Sequence, residues 1–176
     1  GIVATPDGRA LLSVQSSTGR LWRFDLRTKR VDQVVVTGGA DLTENTGTDL
    51  KDSKRQSAEA PAGRQIRFGI REHGMGGIMV GMARHGGVLP VGGTFFVFSD
   101  YMRGAVRLAA LSEAKVVYSW SHDSVGLGED GPTHQPIEHA ASIRAMPGVI
   151  DMRPGDANEV VEAWRVILPI RHEPVA

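Results

Sequence analysis

From Gln65 onward the apolar residues switch repeatedly between two periods, and that alternation restricts the fold more than any other feature. Residues 65–70 alternate as a strand. Residues 72–85 carry Met75, Ile78, Met79 and Met82 at helical spacing and stop at Gly86 and Gly87, as a helix C-cap does. Residues 88–91 form a second short strand. Residues 99–114 read as a helix with Val106, Leu108, Ala109 and Leu111 on or near one face. Residues 116–118 are a third strand, apolar enough to be buried on both faces. After a long polar loop come a helix over 136–146, a strand over 149–152 and a helix over 156–166 that Asp156 or Asn158 can cap. Strand and helix in succession imply parallel strands joined by right-handed crossovers. The expected fold class is therefore α/β, a mainly parallel sheet with helices on both faces.

The 176 residues suffice for one domain with a real core. Basic and acidic residues number 20 each, and no basic stripe is visible, which argues against nucleic acid. The absence of cysteine excludes disulfides and thiolate metal sites and fits a reducing, cytoplasmic compartment. No apolar run reaches the ~18 residues of a membrane span, and the N-terminus lacks a signal-peptide pattern. More than half of the 22 glycines lie between Gly69 and Gly131. Four of them (Gly74, Gly76, Gly77 and Gly81) fall inside one helix, where each costs about 1 kcal/mol relative to Ala. Such a helix is tolerable if another backbone packs very close to it.

Residues 1–36 read as a three-stranded β-meander, with strands at 11–15, 20–25 and 31–36 and turn signals at 6–8, 17–19 and 27–30. Residues 38–47 look like a loop, and 49–63 like a charged, exposed connection. The tail over 167–176 has two prolines and no period, as an extended terminus would. The expected division is a meander over 1–36, an α/β domain over 37–166 and the tail.

Three clusters carry candidate chemistry. Glu72 sits where a strand gives way to a helix, so helix-start N–H groups can hold its carboxylate, which can share a proton with a ring nitrogen. The bland alternative is an ordinary helix-start acid. Phe95, Phe98 and Tyr101 recur every third residue and form one aromatic wall if the turn is helical. That wall can stack on a flat heteroaromatic ring or serve as an ordinary core stripe. The third cluster is the loop over 122–136, which packs two histidines, three acids and three glycines into fifteen residues. A polar, Gly-rich loop leaving the carboxyl end of a strand is where open α/β sheets place ligands. His122 and His134 suit hydrogen bonding or proton transfer to a polar substrate, and Asp130 suits a hydroxyl. The two histidines are twelve apart with no close third ligand, which disfavours a metal. Neither a G-x-x-x-x-G-K-[ST] loop nor a G-x-S-x-G elbow occurs.

In this order, the runs G-G-A-D-L-T from Gly38, G-I-R-E-H-G-M from Gly69, L-P-V-G-G-T-F-F-V-F-S-D-Y from Leu89, A-V-R-L-A-A-L from Ala105 and H-D-S-V-G-L-G-E-D-G-P-T-H-Q-P from His122 resemble transketolase. The match covers residues 38–164 and looks like the family's central, pyrimidine-binding domain. It implies that Glu72 contacts the aminopyrimidine N1′ of thiamine diphosphate and promotes its imino tautomer. It implies also that Phe95, Phe98 and Tyr101 surround that pyrimidine, and that His122, Asp130 and His134 contact sugar. The reaction implied is transfer of a two-carbon ketol unit between sugar phosphates. The family's diphosphate- and metal-binding motif, G-D-G…N-N, does not occur in these residues. The runs P-D-G-R-A-L-L-S-V from Pro6 and G-R-L-W-R-F-D from Gly19 resemble a blade of the sugar-lactonase β-propeller family.

Taken together these resemblances suggest a chimeric chain with a junction near residues 36–42. Its transketolase-like part would be one half of a thiamine diphosphate site with Mg²⁺ or Ca²⁺, expected to bind the cofactor only weakly and to be inactive alone. The alternative is a catalytically silent structural domain that self-associates. Exposed, its Gly-rich helix and aromatic run favour a homodimer or higher assembly.

Overall fold

The structure is a computed structural model; it describes residues 35–40, 42–50 and 53–176 throughout, and residues 2–4, 10–15, 20–25 and 34 as backbone. The strands are β1 (Ile2–Ala4), β2 (Ala10–Gln15), β3 (Arg20–Asp25), β4 (Val34–Gly39), β5 (Gln65–Arg67), β6 (Val88–Phe95) and β7 (Val117–Ser121). The helices are α1 (Glu72–His85), α2 (Arg103–Leu111), α3 (His139–Arg144) and α4 (Ala157–Ile167). Two 3₁₀ helices, Phe96–Met102 and Pro132–His134, complete the elements.

The strands fall into two sheets. The first is antiparallel, in the order β1-β2-β3. The second runs β5-β4-β6-β7 and every pairing in it is parallel. The expected parallel α/β sheet is therefore present. The meander differs in one strand: 31–36 was expected to be its third, but β4 is central to the parallel sheet, and Ile2–Ala4 takes the third place. A run rich in valine suits a strand buried on both faces as well as a half-buried one, and its period does not name a partner. The turns expected at 6–8, 17–19 and 27–30, residues 31–33, and Asp41 lie outside the described residues.

The parallel sheet continues beyond β7. The Val175 carbonyl accepts from the Tyr118 N–H at 2.8 Å, and the Val175 N–H donates to the Val116 carbonyl at 2.9 Å. On its other side the Ile150 N–H donates to Pro174 and the Met152 N–H to Ala176, at 3.0 and 2.8 Å. The tail thus inserts between β7 and residues 150–152 with parallel bridges to both, and Val175 is buried.

Apolar cores cover both faces of the sheet. One joins Met75 and Met79 of α1, Val106 and Ala109 of α2 and Ile143 of α3 to Tyr118 of β7 and to Met146. The other joins Val35, Leu89, Val91 and Val117 from the strands to Ile167 of α4 and the adjoining Leu168. The glycines of α1 divide by face. A Cβ on Gly76 would lie 2.6 Å from the Cβ of Ala105, so its absence lets α1 and α2 approach closely. Gly77 and Gly81 face open space. At α4, Asp156 is the cap: its Oδ1 accepts from the N–H groups of Asn158 and Glu159 at 2.8 and 2.9 Å.

Candidate active site

Because the strands are parallel, their carboxyl ends share one edge, and each candidate residue follows such an end. Glu72 opens α1 five residues after β5, Phe95 closes β6, and His122 follows β7 directly. Glu72 is buried at the start of its helix, where the N–H groups favour a carboxylate. Its helix packs against the 3₁₀ helix Phe96–Met102, with a Gly76 Cβ position 3.2 Å from Met102 Cε.

The aromatic wall forms, and the type of helix explains its spacing. A 3₁₀ helix has three residues per turn, so side chains at i and i+3 eclipse. Phe95 and Phe98 stack with ring centroids 6.0 Å apart and planes 4° from parallel. Phe98 and Tyr101 follow at 5.9 Å and 30°. The sequence pattern placed the α-helix from residue 99; it begins at Arg103, because β6 runs on to Phe95 and the 3₁₀ turns intervene.

Both loop histidines reach this wall. His122 lies on Phe95 at 3.7 Å and 22°, and His134 meets Phe98 edge-on at 5.2 Å. His122 adopts a φ of 56°, a left-handed conformation that costs energy for a side chain of this size. The loop that carries them is held by its own bonds. Gln135 Nε2 donates to the Leu127 carbonyl at 2.6 Å, and the His134 N–H to Gly131 at 3.0 Å. Arg153 ties the loop's start to the sheet through the Asp123 carboxylate and carbonyl. Asp130 stands exposed at a turn of the loop, and no ring or hydrogen-bond contact joins it to the wall among the described residues. Glu72 likewise has no hydrogen bond or ion pair to the loop among the described residues.

Two partners were missed from sequence. Ser121 Oγ lies 2.9 Å from His122 Nδ1, and Thr133 Oγ1 lies 2.9 Å from His134 Nδ1. Each hydroxyl occupies Nδ1 and leaves Nε2 for a ligand. The signal was present, since a hydroxyl residue immediately precedes each loop histidine. The arrangement can grip a flat ring along the wall, offer two imidazoles to a polyhydroxylated substrate, and present a buried carboxylate from a neighbouring helix.

The family described as "Transketolase, pyrimidine binding domain" matches residues 27–176. A transketolase of Halalkalibacterium halodurans is 50% identical over 169 residues, covering 96% of this chain and 25% of its own length. Among solved structures, transketolase from Leishmania mexicana superposes with a TM-score of 0.78 at 47% identity, over 80% of this chain and 21% of its own. A split-gene transketolase solved as an inactive β4 tetramer superposes at 0.58 and 25% identity, over 80% of this chain and 43% of its own. The chain thus spans about 19–26% of the length of the curated relatives it matches first. The Halalkalibacterium alignment runs through most of residues 1–36, so the sugar-lactonase resemblance there finds no support. Among the described residues no helix is long and apolar enough to cross a membrane. With the family match extending from residue 27 to 176, on a parallel sheet that superposes on solved transketolases, the chain belongs to the transketolase family as a pyrimidine-binding domain.

Proposed function

We propose that these residues form the aminopyrimidine- and sugar-facing half of a thiamine diphosphate site for two-carbon ketol transfer between sugar phosphates. The observation that carries this reading is the stacked series Phe95–Phe98–Tyr101 with His122 and His134 against it, at the carboxyl edge of the sheet. A flat ring seated on that wall lies beside the helix that begins with the buried Glu72. Held there, the cofactor would supply a thiazolium carbon as the reactive centre. Glu72 would hold the proton at pyrimidine N1′, the wall would fix the ring plane, His122 and His134 would bind substrate hydroxyls through the Nε2 atoms that Ser121 and Thr133 leave free, and the Asp130 carboxylate would take a further hydroxyl. One related solved structure carries sedoheptulose 7-phosphate, a substrate class that suits two imidazoles and a carboxylate. The family's diphosphate and metal anchors have no counterpart in these residues, so the chain by itself is inactive and binds the cofactor weakly. The cytoplasm is its proposed compartment.

A second reading is a catalytically silent, self-associating domain. Ile70, Ile78, Leu108, Leu111 and Tyr101 are all exposed, and the outer face of α1 presents Gly77 and Gly81 to open space. Such a surface favours a homodimer or larger assembly, and the inactive split-gene tetramer is a fold relative in that state. The chimeric form of this reading rested on the blade resemblance.

Calorimetric titration of the chain with thiamine diphosphate and Mg²⁺ is expected to show no micromolar binding. A second polypeptide carrying the G-D-G…N-N domain should restore binding and ketol transfer, and Glu72→Gln should then lower kcat by about 10²–10⁴-fold. Micromolar binding by the chain alone overturns the half-site reading. Restored binding without turnover decides for silence.

A further inference from the structure

Beside the wall, and outside the site above, Asp100, Glu138 and His139 converge where the 3₁₀ helix Phe96–Met102 meets the start of α3. One nitrogen of His139 and one oxygen of each carboxylate lie within 4.8 Å of one another. His139 is only 5% exposed, while Asp100 and Glu138 open to solvent. Its Nε2 is 3.2 Å from Asp100 Oδ2, and its Nδ1 is 3.9 Å from Glu138 Oε2. Neither nitrogen makes a hydrogen bond, so the contact with Asp100 is close in distance but misdirected for one. Buried ring nitrogens nearly always have a partner. Here a buried imidazole with no hydrogen bond lies between two carboxylates.

We propose that His139, Asp100 and Glu138 form a divalent-cation site, suited best to Zn²⁺. One imidazole nitrogen and two carboxylate oxygens are a donor set that Zn²⁺ accepts, with water in the fourth position. Two ligands each about 2.0 Å from a tetrahedral centre are about 3.3 Å apart, close to the observed separation of Nε2 and Oδ2. Mg²⁺ is disfavoured because it prefers all-oxygen, octahedral surroundings. The exposed carboxylates can swing to complete the geometry; the buried ring is already placed, with Phe96 at 5.7 Å from it. Asp100 directly precedes Tyr101, the exposed end of the wall, so a bound ion would pin that end to α3. This inference is independent of thiamine binding.

The test is calorimetric titration of the 176-residue chain with ZnCl₂, alongside thermal unfolding with and without the ion. One site is expected, with a melting temperature raised by roughly 5 °C or more at 100-fold excess over Kd. His139→Gln and Asp100→Asn should each weaken binding by about tenfold or more, since loss of a supporting group alone costs that much. Should His139→Gln fail to fold, Asp100→Asn and Glu138→Gln, both at exposed positions, decide. No saturable Zn²⁺ binding, or the same affinity in the wild type and the folded variants, overturns the proposal.

Discussion

Phe95 and Phe96 are neighbours in the chain and almost equally buried, at 5% and 6% exposure, yet they head two ring clusters of different kinds. Successive side chains at a strand end leave on opposite sides. Phe95 starts the series through Phe98 to Tyr101, which is 66% exposed, and takes in His122 and His134. Phe96 turns to Trp120 at 5.3 Å and His139 at 5.7 Å, with Tyr118 stacked beyond Trp120, inside the core of α1, α2 and α3. Phe95 belongs to neither apolar core. The polar atoms differ too. Each histidine of the first cluster has a hydroxyl on Nδ1, whereas Tyr118 Oη, Trp120 Nε1 and both nitrogens of His139 are buried without a hydrogen bond. A stripe of aromatics is therefore not enough to mark a site. A ring series that leads out to solvent and carries oriented polar groups is a better mark.

The strongest way to break this contrast is to truncate each cluster. Phe96→Ala should cost about 3–5 kcal/mol of stability, the usual loss for a buried phenylalanine. Denaturant midpoints at constant m-value measure it. Phe98 is half-buried at the outer part of the wall, so Phe98→Ala should cost only about 1 kcal/mol. In the reconstituted enzyme the same change should weaken cofactor binding about tenfold through lost stacking. If Phe98→Ala destabilises the fold as much as Phe96→Ala and leaves cofactor binding unchanged, the wall is a second core.

Much of this was legible in the sequence, for physical reasons. The switching of period from Gln65 onward forces parallel strands, and the sheet is parallel. The three-residue spacing of Phe95, Phe98 and Tyr101 foretold the wall, and of the two candidate caps of α4, Asp156 and Asn158, the structure uses Asp156. What could not be read is pairing between distant segments. Nothing local in residues 34–36 assigns them to the parallel sheet, and nothing in a proline-rich tail places Val175 between β7 and Ile150. Long-range pairings depend on which edges remain free once the sheet is built. The same holds within the site: Glu72, the wall and the loop could be singled out one by one, but the stacking of His122 on Phe95 follows from β6 and β7 being neighbours.

The smallest expected effect sharpens the other half of the comparison, the orphaned polar atoms. Burial raises the Tyr118 hydroxyl well above the ordinary tyrosine range. The folded protein therefore keeps that proton at pH values where the unfolded chain, with a pKa of about 10, gives it up. Because the folded pKa is the higher one, this contribution to stability is complete below about pH 10 and is lost as the pH rises beyond it. At pH 10.5 the loss should be about 0.8 kcal/mol. Tyr118→Phe removes the titrating group and a hydroxyl with no partner, so it should cost no hydrogen bond at pH 7 and should flatten the alkaline fall. Urea midpoints of the two proteins between pH 8 and 10.5 make the comparison, since every other titrating group is common to both. Parallel pH profiles would mean that Tyr118 reaches water and that the Phe96 cluster is as open as the Phe95 one.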